Sequence, residues 1–180
     1  MNEHSENLRT VPQYFYQTCE AFASRPAQRF NPELYRNDGN GRFTYDEMRE
    51  RVEAIAGGLL SLGLERQELV GLMSRPSPYW TQVDMAISNC AAVSVTIYPT
   101  ISPGEVLHIL SDSRCRYLLI DSEENLERIR PVLAKATDLE KVVVLDPGSR
   151  IQDGLAIGLW ELMEKGWAWM RENRAAYNER

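Results

Sequence analysis

The chain has 180 residues, of which 43% are hydrophobic and 26% are charged, and its net charge is −6. This length and composition suffice for one globular domain with a buried core. The acidic balance argues against a nucleic-acid partner, because such proteins cluster lysine and arginine on one face. No apolar run approaches the ~18 residues of a membrane span, and the polar first residues show no signal-peptide pattern. We therefore expect a cytoplasmic protein.

The first predicted elements are a helix and a hairpin. Apolar side chains at three- and four-residue spacing predict a helix over residues 11–24, which Pro26 ends. A strand is expected from Gln28 to Tyr35. The Asn-Asp-Gly sequence at residues 37–39 predicts the turn, and Arg42–Phe43 the returning strand.

A long amphipathic helix follows the hairpin. Thr44 and Glu47 form a Ser/Thr-x-x-Glu capping box, and Gly63 suits the position after the last turn. One apolar stripe at helical spacing runs between them: Met48, Val52, Ile55, Leu59 and Leu62. Gly57-Gly58 inside this helix predicts close packing on a neighbouring element, because glycine otherwise weakens a helix.

Four short apolar runs then alternate with amphipathic helical patterns. The predicted strands are Leu69–Met73, Val93–Ile97, Tyr117–Ile120 and Val142–Leu145. Helices are expected to begin at Ser77-Pro78, at the capping box of Ser102 and Glu105, and at a third box of Asp121 and Glu124. This alternation predicts an α/β fold of three layers, α/β/α, with a mainly parallel sheet and the small N-terminal hairpin.

The end of the chain is predicted to be a helix from Ile157 to Asn173, with a frayed tail at 171–180. Its apolar stripe is Trp160, Met163, Trp167 and Met170. We consider three interpretations of this stripe: packing on its own domain, contact with a second copy or a further domain, and an interfacial membrane helix. The expected division is an α/β unit over 1–155 and a C-terminal helix with its tail over 156–180.

Few residues in the sequence suggest a catalytic or metal-binding role. The three cysteines, Cys19, Cys90 and Cys115, are widely spaced without a Cys-x-x-Cys pair, so reduced and partly buried thiols are expected. His108 and Asp112 stand one helical turn apart, which predicts a solvated pair, because no Gly-x-Ser-x-Gly elbow is present.

Neither of the usual glycine-rich phosphate loops occurs in the sequence. The carboxylates crowd a predicted helix start, where negative charge is stabilised by the helix dipole: Asp121, Glu123, Glu124 and Glu127. No residue is therefore assigned a catalytic, cofactor-binding or metal-binding role.

Four segments carry a resemblance to a known family. They are Thr44-Tyr45-x-Glu47, residues 57–64, residues 70–74 and Ile97-Tyr98-Pro99-Thr100. In this order and spacing, over roughly residues 11–165, they resemble the N-terminal part of AMP-forming acyl-CoA synthetases. The Tyr-Pro-Thr turn is most similar to the long-chain fatty acid branch.

The resemblance implies a parent acid–thiol ligase that uses ATP and magnesium to form an acyl-adenylate from a fatty acid, and then transfers the acyl group to coenzyme A. The family's phosphate loop, adenine-binding aromatic residue, ribose-binding aspartate and catalytic lysine have no matching positions here, so the chain alone is expected to be inactive. The alternative is a stand-alone binding or oligomerisation module on the same scaffold. A homodimer through Trp160, Met163, Trp167 and Met170 and a peripheral association with membranes are both left open.

Overall fold

The structure is a computed structural model that describes residues 9–35 and 40–180. The helices are α1 (Val11–Phe22), α2 (Tyr45–Ser61), α3 (Pro78–Asn89), α4 (Pro103–Asp112), α5 (Glu123–Leu133) and α6 (Leu159–Asn178). The strands are β1 (Pro26–Arg29), β2 (Arg42–Thr44), β3 (Leu69–Met73), β4 (Val93–Ile97), β5 (Tyr117–Ile120), β6 (Lys141–Val144) and β7 (Ala156–Gly158).

The predicted parallel sheet is confirmed. Within the described residues, the main sheet has the strand order β4-β3-β5-β6-β7, and every neighbouring pair is parallel. The central strand β3 places Val70 opposite Ser94 on one side and opposite Tyr117 on the other. The fourth predicted strand is shifted by one residue, because β6 ends at Val144.

Helices cover both faces of the sheet, as the continuous apolar strands predict. One core contains buried side chains of α1, α2, α3 and α6 together with Val70 and Leu72 of β3. The other contains those of α4 and α5 together with Met73. Successive residues of a strand point to opposite faces, so a strand that is buried on both sides needs an unbroken apolar run.

Two of the three predicted capping boxes are confirmed. The backbone N–H of Thr44 donates to the Glu47 carboxylate at 2.7 Å, and the backbone N–H of Glu47 donates to Thr44 Oγ1 at 3.2 Å. Ser102 and Glu105 make the same exchange at α4. The third box is wrong by one residue, since α5 is capped by Ser122, whose Oγ accepts from the Asn125 N–H at 3.2 Å.

The hairpin is confirmed, with one correction. Strands β1 and β2 pair antiparallel, but β1 ends at Arg29 and does not continue to Tyr35. Two residues beyond Arg29 the side chain of Asn31 accepts from the Glu33 N–H at 2.9 Å, and Pro32 has no N–H for a ladder. The Asn-Asp-Gly turn at residues 37–39 lies outside the described residues.

Glycines allow helices α2 and α6 to pack at close range, which confirms the interpretation of Gly57-Gly58. A Cβ atom on Gly58 would lie 2.3 Å from the Leu162 carbonyl oxygen. A Cβ atom on Gly166 would lie 1.7 Å from the Ala54 carbonyl oxygen. Sequence reasoning identified one side of this contact and missed Gly166.

The last part of the chain differs most from the prediction. Residues 156–158 form strand β7 beside β6, where the sequence predicts a helix beginning at Ile157. Helix α6 is interrupted by a kink at Asn173, the predicted helix end, where φ is −125° and ψ is 20°. A further helical turn then reaches Asn178, and the predicted frayed tail instead contains Tyr177 buried at 5% exposure. Residues 156–180 pack on α2 and on the sheet through β7 and α6.

The apolar stripe of α6 packs on its own domain. Met163 and Met170 are buried in the core with α2. Trp160 is half-buried against the same core, and Trp167 is 42% exposed. Two of the four side chains proposed for a homodimer contact are therefore inaccessible, and the dimer has no support. Among the described residues, no helix has the length and apolarity needed to cross a bilayer.

Candidate functional site

The candidate site follows from the order of the strands. The connection that follows β3 leads to β4, whereas the connection that follows β5 leads in the opposite direction to β6. At such a point the loops after the two strands separate and leave a crevice at the carboxyl ends, where open α/β sheets bind their ligands. Here the crevice lies between the residues that follow Met73 and those that follow Ile120.

A cleft of about 410 Å³ occupies this position, and we call it the switch-point cleft. Its size is within the range of small-molecule sites. The side chains that line it come from the hairpin, from the loops after β3, β5 and β6, and from α3: Leu34, Tyr35, Ser74, Arg75, Pro76, Ser77, Tyr79, Asp121, Ser122, Leu145, Asp146 and Pro147.

Asp121 organises the centre of the cleft. Its side chain is only 12% exposed. Its Oδ1 accepts from Asn125 Nδ2 at 2.8 Å, and its Oδ2 lies 3.3 Å from the backbone nitrogen of Arg75 and 3.4 Å from Arg75 Nε. The residue that sequence reasoning assigned to helix capping therefore joins the ends of β3 and β5. This contact between distant residues leaves no local pattern in the sequence.

The same arrangement presents a positive charge at the mouth of the cleft. The Arg75 side chain is 76% exposed even though it approaches Asp121, so its guanidinium remains available to a bound group. The N-terminus of α3, capped by Ser77 through a 3.1 Å bond to the Trp80 nitrogen, opens on the same side. Helix N-termini and arginine both favour negatively charged ligands.

Helix α5 also holds the turn that follows β4. Both terminal nitrogens of Arg128 donate to carbonyl oxygens in this turn, those of Pro99 and Ile101, the latter at 2.8 Å. Arg128 Nε donates to Asn125 Oδ1 at 3.3 Å, which connects the turn to the residue that binds Asp121. Tyr98, which begins the turn, is 79% exposed. The segment most specific for the family resemblance thus projects an aromatic side chain from a fixed backbone.

A second crevice of about 680 Å³ continues along the same edge, past Pro147, which it shares with the switch-point cleft. It is lined by the loop after β6 and by the first turns of α6, including Trp160 and Glu161. The two openings together form an extended depression along the carboxyl ends of β3, β5, β6 and β7.

A buried arginine supports the walls of both openings. Arg51 of α2 is 8% exposed, and its Nε donates to Gln82 Oε1 at 2.9 Å. Its guanidinium carbon lies 5.9 Å from the ring centre of Tyr79, in the wall of the cleft, and 5.5 Å from that of Trp160, in the second crevice. Sequence reasoning missed Arg51, because a charged residue beside an apolar helical stripe is ordinarily solvated.

The other residues that the sequence singles out lie outside the site. His108 and Asp112 are exposed on α4, and neither lines the cleft. Glu123 and Glu124 occupy the first turn of α5, which confirms their interpretation as residues of a helix start. Glu127 pairs with Arg130 at 2.8 Å.

All three cysteines are free, and they are fully buried where the sequence predicts partial burial. Burial raises the pKa of the Cys19 thiol to about 11 and that of Cys90 to about 12. Such thiols are poor nucleophiles at neutral pH, because the thiolate is the reactive form.

The fold and the cleft define an open α/β scaffold with a parallel sheet and a crevice at the carboxyl ends of its strands, and comparison with known proteins specifies the class. The profile of the AMP-binding enzyme family matches residues 15–161, and the chain belongs to this family. This match spans most of the described structure, from α1 to the beginning of α6.

Curated relatives include fatty acid ligases. The chain is 28% identical over 137 residues to the long-chain-fatty-acid–CoA ligase heimdall of Drosophila melanogaster, a match that covers 76% of this chain and 20% of that protein. It is 28% identical over 135 residues to the long-chain-fatty-acid–CoA ligase ACSBG1 of Rattus norvegicus, with 75% and 18% covered. The chain thus spans about a fifth of the length of these relatives.

Solved structures agree on the fold. A long-chain-fatty-acid-CoA ligase, FadD1, from Archaeoglobus fulgidus superposes with a TM-score of 0.75 at 24% identity, over 88% of this chain and 30% of that one. The anthranilate CoA ligase AuaEII, solved with anthranoyl-AMP, gives a TM-score of 0.77 at 22% identity, with 91% and 30% covered.

Proposed function

We propose that this chain is the N-terminal part of a long-chain fatty acid–CoA ligase that forms an acyl-adenylate from ATP and then an acyl-CoA. The observation that carries the proposal is the AMP-binding enzyme match over residues 15–161, together with relatives that bear this activity in their names. In this account the switch-point cleft is one wall of a substrate site that other parts of the protein complete.

The residues that the structure describes do not by themselves form a site for ATP and magnesium. Among residues 9–35 and 40–180, no three His, Cys, Asp or Glu side chains are grouped as metal ligands. The switch-point cleft offers a single arginine, Arg75, and two aspartates, Asp121 and Asp146. Adenylate formation depends on positioned positive charge around the phosphates, so we assign no chemical step to these residues.

Two roles for the chain's own residues remain. Asp121, Asn125 and Arg128 fix the loops at the carboxyl edge, and Arg75 presents a cation to a carboxylate or phosphate of the substrates. The protein is proposed to act in the cytoplasm on fatty acid, ATP and coenzyme A, and the 180-residue chain alone is proposed to be inactive.

The test is an assay of the purified chain with palmitate, ATP, magnesium and coenzyme A, in which AMP and palmitoyl-CoA are separated and quantified. We expect neither product above the level without protein. Enzyme-dependent formation of both would disprove the inactivity of the chain. The length of the natural reading frame distinguishes the ligase from the stand-alone binding or oligomerisation module. A frame that ends close to Arg180 favours the module. A frame that continues into a Ser/Thr/Gly-rich loop with a lysine favours the ligase.

A further inference from the structure

Strand β4 forms one edge of the main sheet, and its outer side is open. It pairs with β3 in an unbroken parallel register. Within residues 9–35 and 40–180, β3 is its only partner in the sheet. Val93 is 49% exposed and Thr96 is also exposed, so solvent reaches the outer side of the strand. The edge therefore presents backbone groups that a further strand can bind.

The outward backbone groups of this edge belong to two residues. The N–H of Val93 donates to the Glu68 carbonyl oxygen at 2.9 Å, so Val93 faces β3. In a parallel ladder, alternate residues turn both of their backbone groups to the same neighbour, so Val95 faces β3 as well. Ser94 and Thr96 therefore turn their N–H and C=O groups to the open side.

The strand lacks the features that usually keep an edge from pairing with another chain. Natural edge strands carry charges, prolines or bulges for this purpose. Strand β4 has the sequence Val-Ser-Val-Thr-Ile, without a charge or a proline, and its register with β3 has no bulge. All of its side chains except the serine are β-branched, which favours strand pairing. The edge is thus suited to bind a strand.

The sequence of β4 is complementary to itself when two copies run antiparallel. With Val95 of each copy on a two-fold axis, Ser94 of one copy lies opposite Thr96 of the other. Val93 likewise lies opposite Ile97. Apolar side chains then meet on the face of the sheet that α4 and α5 cover, and hydroxyl groups meet on the opposite face. Each Ser94–Thr96 pair also exchanges two backbone hydrogen bonds, because both residues turn outward.

We propose that β4 binds the β4 strand of a second copy of this chain, in an antiparallel two-fold pair that joins the two sheets. The residues select this occupant, because each position meets a side chain of its own kind. Ser94 Oγ donates to Asp84 Oδ1 at 2.7 Å and keeps its lone pairs for the Thr96 hydroxyl of the second copy. The contact lies apart from the stripe of α6 and does not rest on the proposed ligase activity.

The first test is disulfide formation between introduced thiols. Directly opposite residues that turn their backbone groups away from each other have Cα atoms about 4.5 Å apart, a distance that a disulfide spans. We expect Val95→Cys to form a covalent dimer on mild oxidation. Thr96→Cys is the matched control, because Thr96 is more exposed but lies roughly 8 Å from its counterpart, which is too far for a disulfide. The three native cysteines are buried.

The second test is non-covalent association, measured by light scattering over a range of concentrations. Thr96→Pro removes an N–H that points to the open side, so the fold tolerates it and the dimer is expected to weaken roughly tenfold or more. Thr96→Asp places a carboxylate opposite Ser94 and its partner Asp84 in the second copy, and should weaken the dimer as well. The neutral Thr96→Asn should associate more tightly than Thr96→Asp, and Asp84→Asn should partly restore the dimer of Thr96→Asp. Circular dichroism checks that every variant is folded.

Four results would overturn the proposal. They are a wild type that stays monomeric at its highest soluble concentration, equal cross-linking of the two cysteine variants, a dimer that Trp167→Ser dissociates while Thr96→Pro does not, and a failure to cross-link in the complete natural reading frame. The last result would assign the edge to another part of the same chain. Covalent dimers of Val95→Cys in both the 180-residue chain and the complete frame would support the second copy.

Discussion

The substitution Gly166→Ala tests the close packing of α2 and α6 most sharply. The new Cβ atom would lie 1.7 Å from the Ala54 carbonyl oxygen and 2.6 Å from the Gly58 nitrogen, and both of these are backbone atoms. To bring the first contact to at least 3.0 Å, the helices must separate by about 1.3 Å. A gap of ~1 Å already removes up to about half of the dispersion attraction between facing atoms.

The magnitude follows from two opposing effects. Alanine is favoured over glycine inside a helix by about 1 kcal/mol. Over-packing costs about 1–3 kcal/mol and occasionally more, and here no flexible side chain can move aside. We expect a net loss of about 2 kcal/mol in the free energy of unfolding, at the upper end of this difference, which corresponds to a melting temperature lower by roughly 4–8 °C.

The assay is urea and thermal unfolding, followed by circular dichroism and by tryptophan fluorescence. Gly104→Ala is the matched control, because Gly104 lies in the first turn of α4 and the nearest atom to its new Cβ is 4.0 Å away. The control is expected to be neutral or stabilised by up to about 1 kcal/mol. A Gly166→Ala protein as stable as the wild type would refute the close approach of the helices.

Three further predictions concern buried polar groups. Arg51→Met removes the 2.9 Å bond to Gln82 and leaves that amide buried, so the urea midpoint should fall by the equivalent of about 2–4 kcal/mol, and an unchanged midpoint would contradict the buried contact. Burial raises the pKa of the Cys90 thiol to about 12. The thiol should therefore resist Ellman's reagent in the native protein and react fully in urea; rapid native reaction would show that it is accessible. Burial likewise raises the pKa of Tyr177 to about 12, against about 10 in the unfolded chain, so its contribution to stability is complete below pH ~10 and is lost as the pH rises toward 12. Phenolate absorbance measures this titration, and Tyr177→Phe should flatten the alkaline part of the stability profile.

Local signals in the sequence predict much of this fold. The capping boxes at Thr44 and Ser102 were found because they need only two side chains three residues apart. The central strands were found because burial on both faces requires an unbroken apolar run. Ser122 shows the limit of this reasoning, since Asp121 also fits a capping pattern and only the tertiary bond to Arg75 decides between them.

Features that depend on contacts between distant residues were not predictable. Strand β7 has three residues, fewer than a periodic pattern needs, and its hydrogen bonds to β6 define it. Burial of Tyr177 depends on Tyr16, whose hydroxyl lies 2.6 Å away, and on Asn89 of α3. The switch-point cleft depends on the order of the strands, which no single segment encodes. The resemblance to acyl-CoA synthetases predicts the family. It does not locate the cleft, which forms because β3 and β5 are neighbours in the sheet.

The most direct test of the central claim is fatty-acid-dependent AMP release by the protein encoded by the complete natural reading frame, measured beside the 180-residue chain. We predict that the longer protein forms AMP and acyl-CoA in equal amounts from palmitate, ATP and coenzyme A. The 180-residue chain at the same concentration should form neither. A longer protein that binds these substrates and releases no AMP would contradict the assignment of this chain to a fatty acid–CoA ligase.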